Sequence, residues 1–227
     1  MPFFSPRKVV SILAASAALL AGSLAPASAL YKGTPVTDTD PHAHQVLALS
    51  GIGSCTAVAL SPEWALTAAH CITQNPGAHH TVYTGVERSQ HQAHTADAVK
   101  IAPMGDLALV HLKDHLSLES YPELPSESFK KGDRGLAYGW GVGTGNRLTT
   151  TESVVANNGY HSGYNRGFFF TTIHQGDSRP RSGDSGSPFF VNNQVHGILS
   201  SSGADSNPAT NYSDVFDQVD WIEHTIN

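Results

Sequence analysis

Along this chain the apolar positions come in short bursts. Runs rich in Val, Ala, Leu, Phe and Thr occupy residues 45–49, 55–60, 64–68, 81–86, 107–112, 134–140, 168–173, 188–191 and 195–200, with Gly, Pro, Asn and Ser between them. Such spacing predicts strands, and many short strands at regular intervals predict an all-β barrel or sandwich. Ser61-Pro62-Glu63 and Asn192-Asn193 read as hairpin turns, because Pro fixes φ and Asn tolerates left-handed geometry. The pattern changes only at the end, where Val215, Val219, Ile222 and Ile226 fall at i, i+4, i+7 and i+11. That spacing predicts a helix, with Asp214 or Ser213 as its cap. Residues 114–131, which hold Pro122, Pro125, several Ser and several acidic residues, read as a linker. It divides two β-rich halves, 30–120 and 121–227.

The start of the chain does not belong to this pattern. Arg7 and Lys8 precede an Ala- and Leu-rich stretch, residues 9–24, which is followed by Ala27-Ser28-Ala29. A basic start, an apolar middle and small residues at the exit predict a secretory signal peptide over residues 1–29. Ser11, Ser16 and Ser23 interrupt the run and weigh against a membrane anchor. No later stretch reaches the roughly 18 apolar residues that a span requires. The expectation is a secreted, extracellular protein with no membrane span after cleavage.

Charge narrows the classes further. Charged residues make up 14% of the chain, well below the roughly 25% of an average soluble domain. Such a low share argues against a disordered tail or a coiled coil. The formal charge is −6, from 13 basic and 19 acidic residues. Loss of Arg7 and Lys8 with the leader brings it to −8. No basic cluster offers a phosphate-backbone footprint, so nucleic acid is excluded as an expected partner. Export also changes how Cys55 and Cys71, the chain's 2 cysteines, are read. In an oxidising compartment a disulfide persists, and closing this loop is worth about 3 kcal/mol in the chain-entropy model. A metal site is the rival reading, but the ligand spacing is poor for one.

Three segments carry candidate chemistry: Leu66-Thr67-Ala68-Ala69-His70-Cys71, Asp106-Leu107-Ala108-Leu109-Val110 and Gly183-Asp184-Ser185-Gly186-Ser187-Pro188. Each alone is ordinary. Together they supply a base, an orienting carboxylate and a hydroxyl nucleophile in the order His, Asp, Ser, which is a known triad order. Serine is a weak nucleophile at neutral pH and needs an adjacent base, and imidazole titrates in the useful range. His70 is expected to take the Ser185 proton and return it to the leaving amine, while Asp106 fixes the ring's tautomer. The Gly183 and Ser185 amides are expected to form the oxyanion hole.

These motifs resemble those of the trypsin- and chymotrypsin-like serine endopeptidases, and the resemblance covers nearly all of the chain after the leader. It implies two six-stranded antiparallel β-barrels with a C-terminal helix and the triad in the cleft between them. The implied activity is peptide-bond hydrolysis through an acyl-enzyme intermediate, on protein or peptide substrates. The resemblance also places a disulfide beside the catalytic His, Gly139-Trp140-Gly141 at a strand end near the site, and Ser200 as a hydrogen-bond donor to the triad carboxylate. Ser200, Ser201 and Ser202 match the edge that pairs with substrate. Arg179 matches the base of the primary pocket, where a cation favours an acidic substrate side chain. The other reading leaves Arg179 and Arg181 in water on a loop of different shape. Thr210 and Asn211 add polarity to the pocket. Leu30, freed by cleavage after Ala29, is expected to pair with Asp184; internal partners for Asp184 are the rival reading.

Other chemistry finds less support. An α/β-hydrolase triad is disfavoured, since Gly183-Asp184-Ser185-Gly186-Ser187 lacks the second Gly of that motif and the acid and His come before Ser185. Phosphate-binding, dinucleotide and His-Glu-x-x-His motifs are missing. Among the 13 histidines, His79, His80, His91 and His94 cluster in a polar stretch and are read as solvated loop residues. The expectation is no metal, no cofactor and a monomer. The alternative function is a non-catalytic binding protein on the same fold, which usually loses a triad member; His70, Asp106 and Ser185 are all present.

Overall fold

A computed structural model describes Met1 and residues 30–51, 53–74, 79–142, 145–160, 167–203 and 207–227. Apart from Met1, the expected leader lies outside the described residues. Among the described residues there are thirteen strands, of which twelve form two closed antiparallel barrels. The first contains β2 (Val46–Gly51), β3 (Gly53–Ala59), β4 (Trp64–Thr67), β5 (Thr81–Thr84), β6 (Gln92–Ile101) and β7 (Ala108–Leu112), closed in the order β2-β3-β4-β7-β6-β5. The second contains β8 (Arg134–Gly139), β9 (Thr149–Tyr160), β10 (Phe168–His174), β11 (Pro188–Val191), β12 (Gln194–Ser202) and β13 (Ala209–Asp214). It closes through pairing of β8 with β9, and the short β1 (Thr34–Pro35) adds to the outer edge of β9.

Continuous apolar runs, buried on both faces, build the first barrel. Ala57, Val58 and Ala59 of β3, Ala65 and Leu66 of β4, and Leu109 and Val110 of β7 are all fully buried. The second barrel fills its interior with rings: Phe170, Phe189 and Tyr212 pack with Phe129 and Leu30 in one cluster. Phe170 stacks on Tyr212 with ring centres 5.4 Å apart.

Two predicted turns are in place: β3 and β4 flank residues 60–63, and Asn192, between β11 and β12, has φ 55°. Strands β6, β9 and β13 were not predicted from the pattern. Most of β6 is exposed, and β9 and β13 are rich in Thr, Asn and Ser. Their strand character comes from pairing with neighbours rather than from an apolar face. Between β7 and β8 the chain runs without a strand, making a single bridge from Glu123 to Gln194. The predicted terminal helix is shorter than its periodicity. Val215 is buried, a 3₁₀ turn covers Phe216–Gln218, and α2 spans Val219–Ile226. Asp214 Oδ1 accepts the Phe216 amide, so it serves the 3₁₀ turn that leads into the helix. No helix among the described residues is long and apolar enough to cross a membrane.

Two histidines read as solvated lie elsewhere. His80 is buried, and His91 stacks on Tyr83 and meets the Trp140 ring edge-on. Burial lowers the pKa of both. The polar stretch around them is the β5–β6 hairpin, whose connecting residues 87–91 meet Trp140, Asn146 and Arg147.

Candidate active site

His70 sits in α1 (Ala69–Thr73), one turn beyond the end of β4. Asp106 lies two residues before the start of the buried β7. Pairing of Thr67 with Ala108 brings these two strand ends together. Asp106 is 1% exposed, and its carboxylate accepts three hydrogen bonds. Oδ1 takes the His70 backbone N–H at 2.9 Å, and Oδ2 takes His70 Nδ1–H at 2.7 Å and Ser200 Oγ–H at 2.7 Å. The Asp106 amide in turn donates to Ser213 Oγ. A carboxylate can only accept here, so Nδ1 carries the proton and Nε2 is the basic nitrogen.

Ser200 reaches Asp106 because of a local irregularity. The register between β12 and β13 shifts between Leu199 and Ser201. Ser200 thereby leaves the ladder and aims its hydroxyl at the carboxylate. Beyond Ile198, β12 has lost its partner β11. Leu199 still bonds to Ser187 and Gly186; residues 200–202 beyond it present one open edge, and Ser201 and Ser202 are exposed along it.

Ser185 lies on a tight turn that only glycine permits. Gly183 and Gly186 have φ 98° and 84°. A Cβ on Gly186 would sit 2.1 Å from Thr56 O and 2.2 Å from Thr67 Oγ1. Thr56 binds the turn from the first barrel: its amide donates to Ser185 O, and its hydroxyl donates to Gly183 O while accepting the Trp140 amide. With both carbonyls tied to Thr56, the Gly183 and Ser185 amides have no acceptor among the described residues. His70 and Ser185 line one cleft of about 220 Å³, with the Cys55–Cys71 disulfide, Gly183, Gln74 and His80. No hydrogen bond joins Ser185 to His70 in this structure. Such contacts often tighten only in the substrate complex.

Asp184 is fully buried beneath the turn. Its oxygens accept the Gly141 and Arg181 amides. Burial pushes its carboxyl up to about 8 in spite of these bonds. The pairing expected with Leu30 is not made here: the Leu30 amide donates to Thr149 Oγ1 at 2.7 Å, and the Leu30 side chain is wholly buried.

The expected pocket residues also differ. Arg179 turns Nη1 of its guanidinium back onto the carbonyls of Gly176 and Ser178. Thr210 is fully buried and its hydroxyl meets His174 Nε2 at 2.8 Å. It faces the barrel interior rather than a substrate. His174 Nδ1 meets Ser153 Oγ, so both ring nitrogens are engaged, and burial lowers the ring's pKa to about 4. Asn211 holds Ser201 Oγ through Nδ2 and accepts from Thr171. Sequence reasoning missed Thr56, Thr67, His174 and Ser213, whose roles depend on contacts across more than one barrel wall.

A fold of two barrels with a His–Asp pair on one and a glycine-bounded serine on the other defines the class of chymotrypsin-like serine hydrolases. The trypsin family profile matches residues 33–222, and the chain belongs to that family. It is 30% identical to an uncharacterized peptidase of Corynebacterium glutamicum over 95% of this chain and 79% of that protein. It is 27% identical to trypsin-3 of Salmo salar over 81% of this chain and 87% of the relative. In fold it is similar to neuropsin, a serine protease expressed in the limbic system of mouse brain, with TM-score 0.73, 20% identity, and coverage of 86% of this chain and 99% of that one. The protein is a serine-type endopeptidase.

Proposed function

We propose that this endopeptidase is secreted and cleaves peptide bonds through an acyl-enzyme on Ser185. His70 Nε2 removes the Ser185 proton as the hydroxyl attacks the scissile carbonyl. Asp106 holds the ring and stabilises the imidazolium, and Ser200 fixes Asp106. The Gly183 and Ser185 amides receive the oxyanion. His70 then protonates the leaving amine, and water repeats the sequence on the acyl-enzyme. The substrate backbone adds as a strand to the open edge at Ser200, Ser201 and Ser202. In this reading residues 30–120 supply the base and residues 121–227 the nucleophile.

The observation that carries the reading is the pairing of a buried, triply hydrogen-bonded Asp106 with two unengaged amides at Gly183 and Ser185. Cleavage of the leader after Ala29 would free the Leu30 amine. That cation, moved from Thr149 onto buried Asp184, supplies the charge this carboxylate lacks. The test is labelling with a serine-directed phosphonate and location of the adduct by peptide mass spectrometry. Label on Ser185, lost in Ser185→Ala together with turnover, is the expected result. A folded, unlabelled protein would favour the binding-protein reading instead.

A further inference from the structure

Residues 30–33 make a tight turn against the loop that precedes the nucleophile. Gly33 N–H closes onto Leu30 O. Lys32 occupies the left-handed region with φ 62°, a conformation in which L side chains are uncommon and glycine is at ease. A lysine there calls for a use of its side chain, and Lys32 Nζ pairs with Asp177 at 2.9 Å. Beside it, Tyr31 bridges Arg179 in antiparallel fashion and accepts the Arg179 amide. The Tyr31 ring also carries the Arg181 guanidinium at 4.8 Å. Two consecutive side chains of the amino-terminal turn therefore hold the loop at Asp177 and Arg181.

Arg181 connects this contact to the chemistry. Its amide donates to Asp184 Oδ2, and its carbonyl accepts the Asp184 amide. Asp184 lies between Gly183 and Ser185, the two residues whose amides are unengaged. A cation held on a ring thus borders a backbone bonded twice to the residue at the centre of the oxyanion turn. The same packing keeps the loop's two arginines turned toward residues 31–32 and their own carbonyls.

We propose that Tyr31 and Lys32 are positioning residues that clamp the 176–181 loop through Arg181 and Asp177, and so set the oxyanion turn. This rests on the endopeptidase reading above, and it adds side chains that act through the loop without touching substrate. The Tyr31 contact is the stronger half, since the Lys32 pair is exposed and screened by salt.

The test compares the purified enzyme with Tyr31→Leu, Tyr31→Phe and Lys32→Gly, reading kcat, KM, the rate of Ser185 labelling, the thermal midpoint and amide hydrogen exchange over residues 176–186. Tyr31→Leu keeps bulk but loses the ring, and its kcat and labelling rate should fall about two- to fivefold, as expected for a partly exposed cation–π contact. Exchange in the loop should rise, and Tyr31→Phe should restore both. Lys32→Gly suits the left-handed backbone, so its midpoint should hold while labelling slows. Wild-type labelling and exchange in Tyr31→Leu would overturn the proposal, as would equal losses in Tyr31→Phe or a midpoint that falls in step with every rate. Should the wild-type enzyme fail to label at all, the endopeptidase reading falls, while loop exchange in Tyr31→Leu still decides the clamp.

Discussion

The two barrels solve the same packing problem with different materials. The first closes on small aliphatic side chains such as Ala57, Val58, Ala65 and Leu66, and carries the disulfide. The second closes on rings and, with no disulfide, admits a buried polar layer that includes Ser153, Thr172, His174, Ser178, Asp184, Ser187 and Thr210. Among these, Ser178 Oγ and Ser187 Oγ have no partner among the described residues. The first barrel presents a base whose carboxylate is fully satisfied. The second presents a nucleophile on a turn whose supports are partly unsatisfied, and such a region responds to what binds it.

The sharpest way to break this comparison is at the satisfied carboxylate. Asp106→Asn retains the shape but leaves one acceptor oxygen where His70 N–H and Nδ1–H use two; an amide N–H turned to the ring favours the wrong tautomer of His70. Turnover should fall by about 10⁴-fold with folding intact. Steady-state kinetics beside circular dichroism will check it, and a loss of less than tenfold would show that the first barrel's contribution is not the carboxylate.

Next in size is the staple. Replacing Cys55 and Cys71 together with Ser removes a cross-link between residues 16 apart. The chain-entropy model gives about 3 kcal/mol for such a loop, seen as a lower denaturant midpoint. If the first barrel depends on the staple, the loss should appear first in its strands by hydrogen exchange. A uniform loss over both barrels would make the two a single cooperative unit.

The second barrel's interior makes a pH prediction. His174 has its pKa lowered from 6.5 to about 4, so the unfolded chain binds a proton on this ring that the folded one refuses between those values. Stability from this group is therefore intact above about pH 6.5 and declines as pH falls toward 4. The size is about 3 kcal/mol at 1.36 kcal/mol per pKa unit. Asp184, raised from 3.8 to about 8, acts in the opposite direction, since its folded form binds the extra proton. Between pH 4 and 6.5 the two slopes oppose each other, so His174→Gln should leave the Asp184 contribution alone and turn the profile toward stability that falls as pH rises. An unchanged slope in urea titrations from pH 4 to 7 would mean that another group governs it.

The contrast also decides what could be read from the residues alone. His70, Asp106 and Ser185 were legible because each stands at the end of a patterned run or inside a glycine-bounded turn, where local chemistry constrains the residue type. Strand β6 was not, since a solvent-facing strand has no apolar signature. Arg179 was left between two readings because a guanidinium follows the nearest acceptors, here the carbonyls of Gly176 and Ser178, and these depend on loop shape. Thr210 was misplaced for the related reason that its partner His174 lies 36 residues away in sequence. Family position fixes where a backbone runs, but a polar side chain goes to whichever acceptor the tertiary packing supplies.

Ser200 is where the two barrels meet most economically, and it gives the smallest and most discriminating prediction. It belongs to the second barrel, yet its hydroxyl completes the carboxylate of the first at 2.7 Å. In Ser200→Ala, Asp106 keeps two donors from His70, so the ring stays in place and the tautomer is retained. What is lost is one hydrogen bond to a charged acceptor in a nearly water-free site, about 1.5 to 3 kcal/mol at most. Turnover should fall about ten- to a hundredfold, with KM little changed, because the strand edge that meets substrate is main chain. A loss confined to KM would instead place Ser200 in substrate binding and leave the first barrel to hold its own carboxylate.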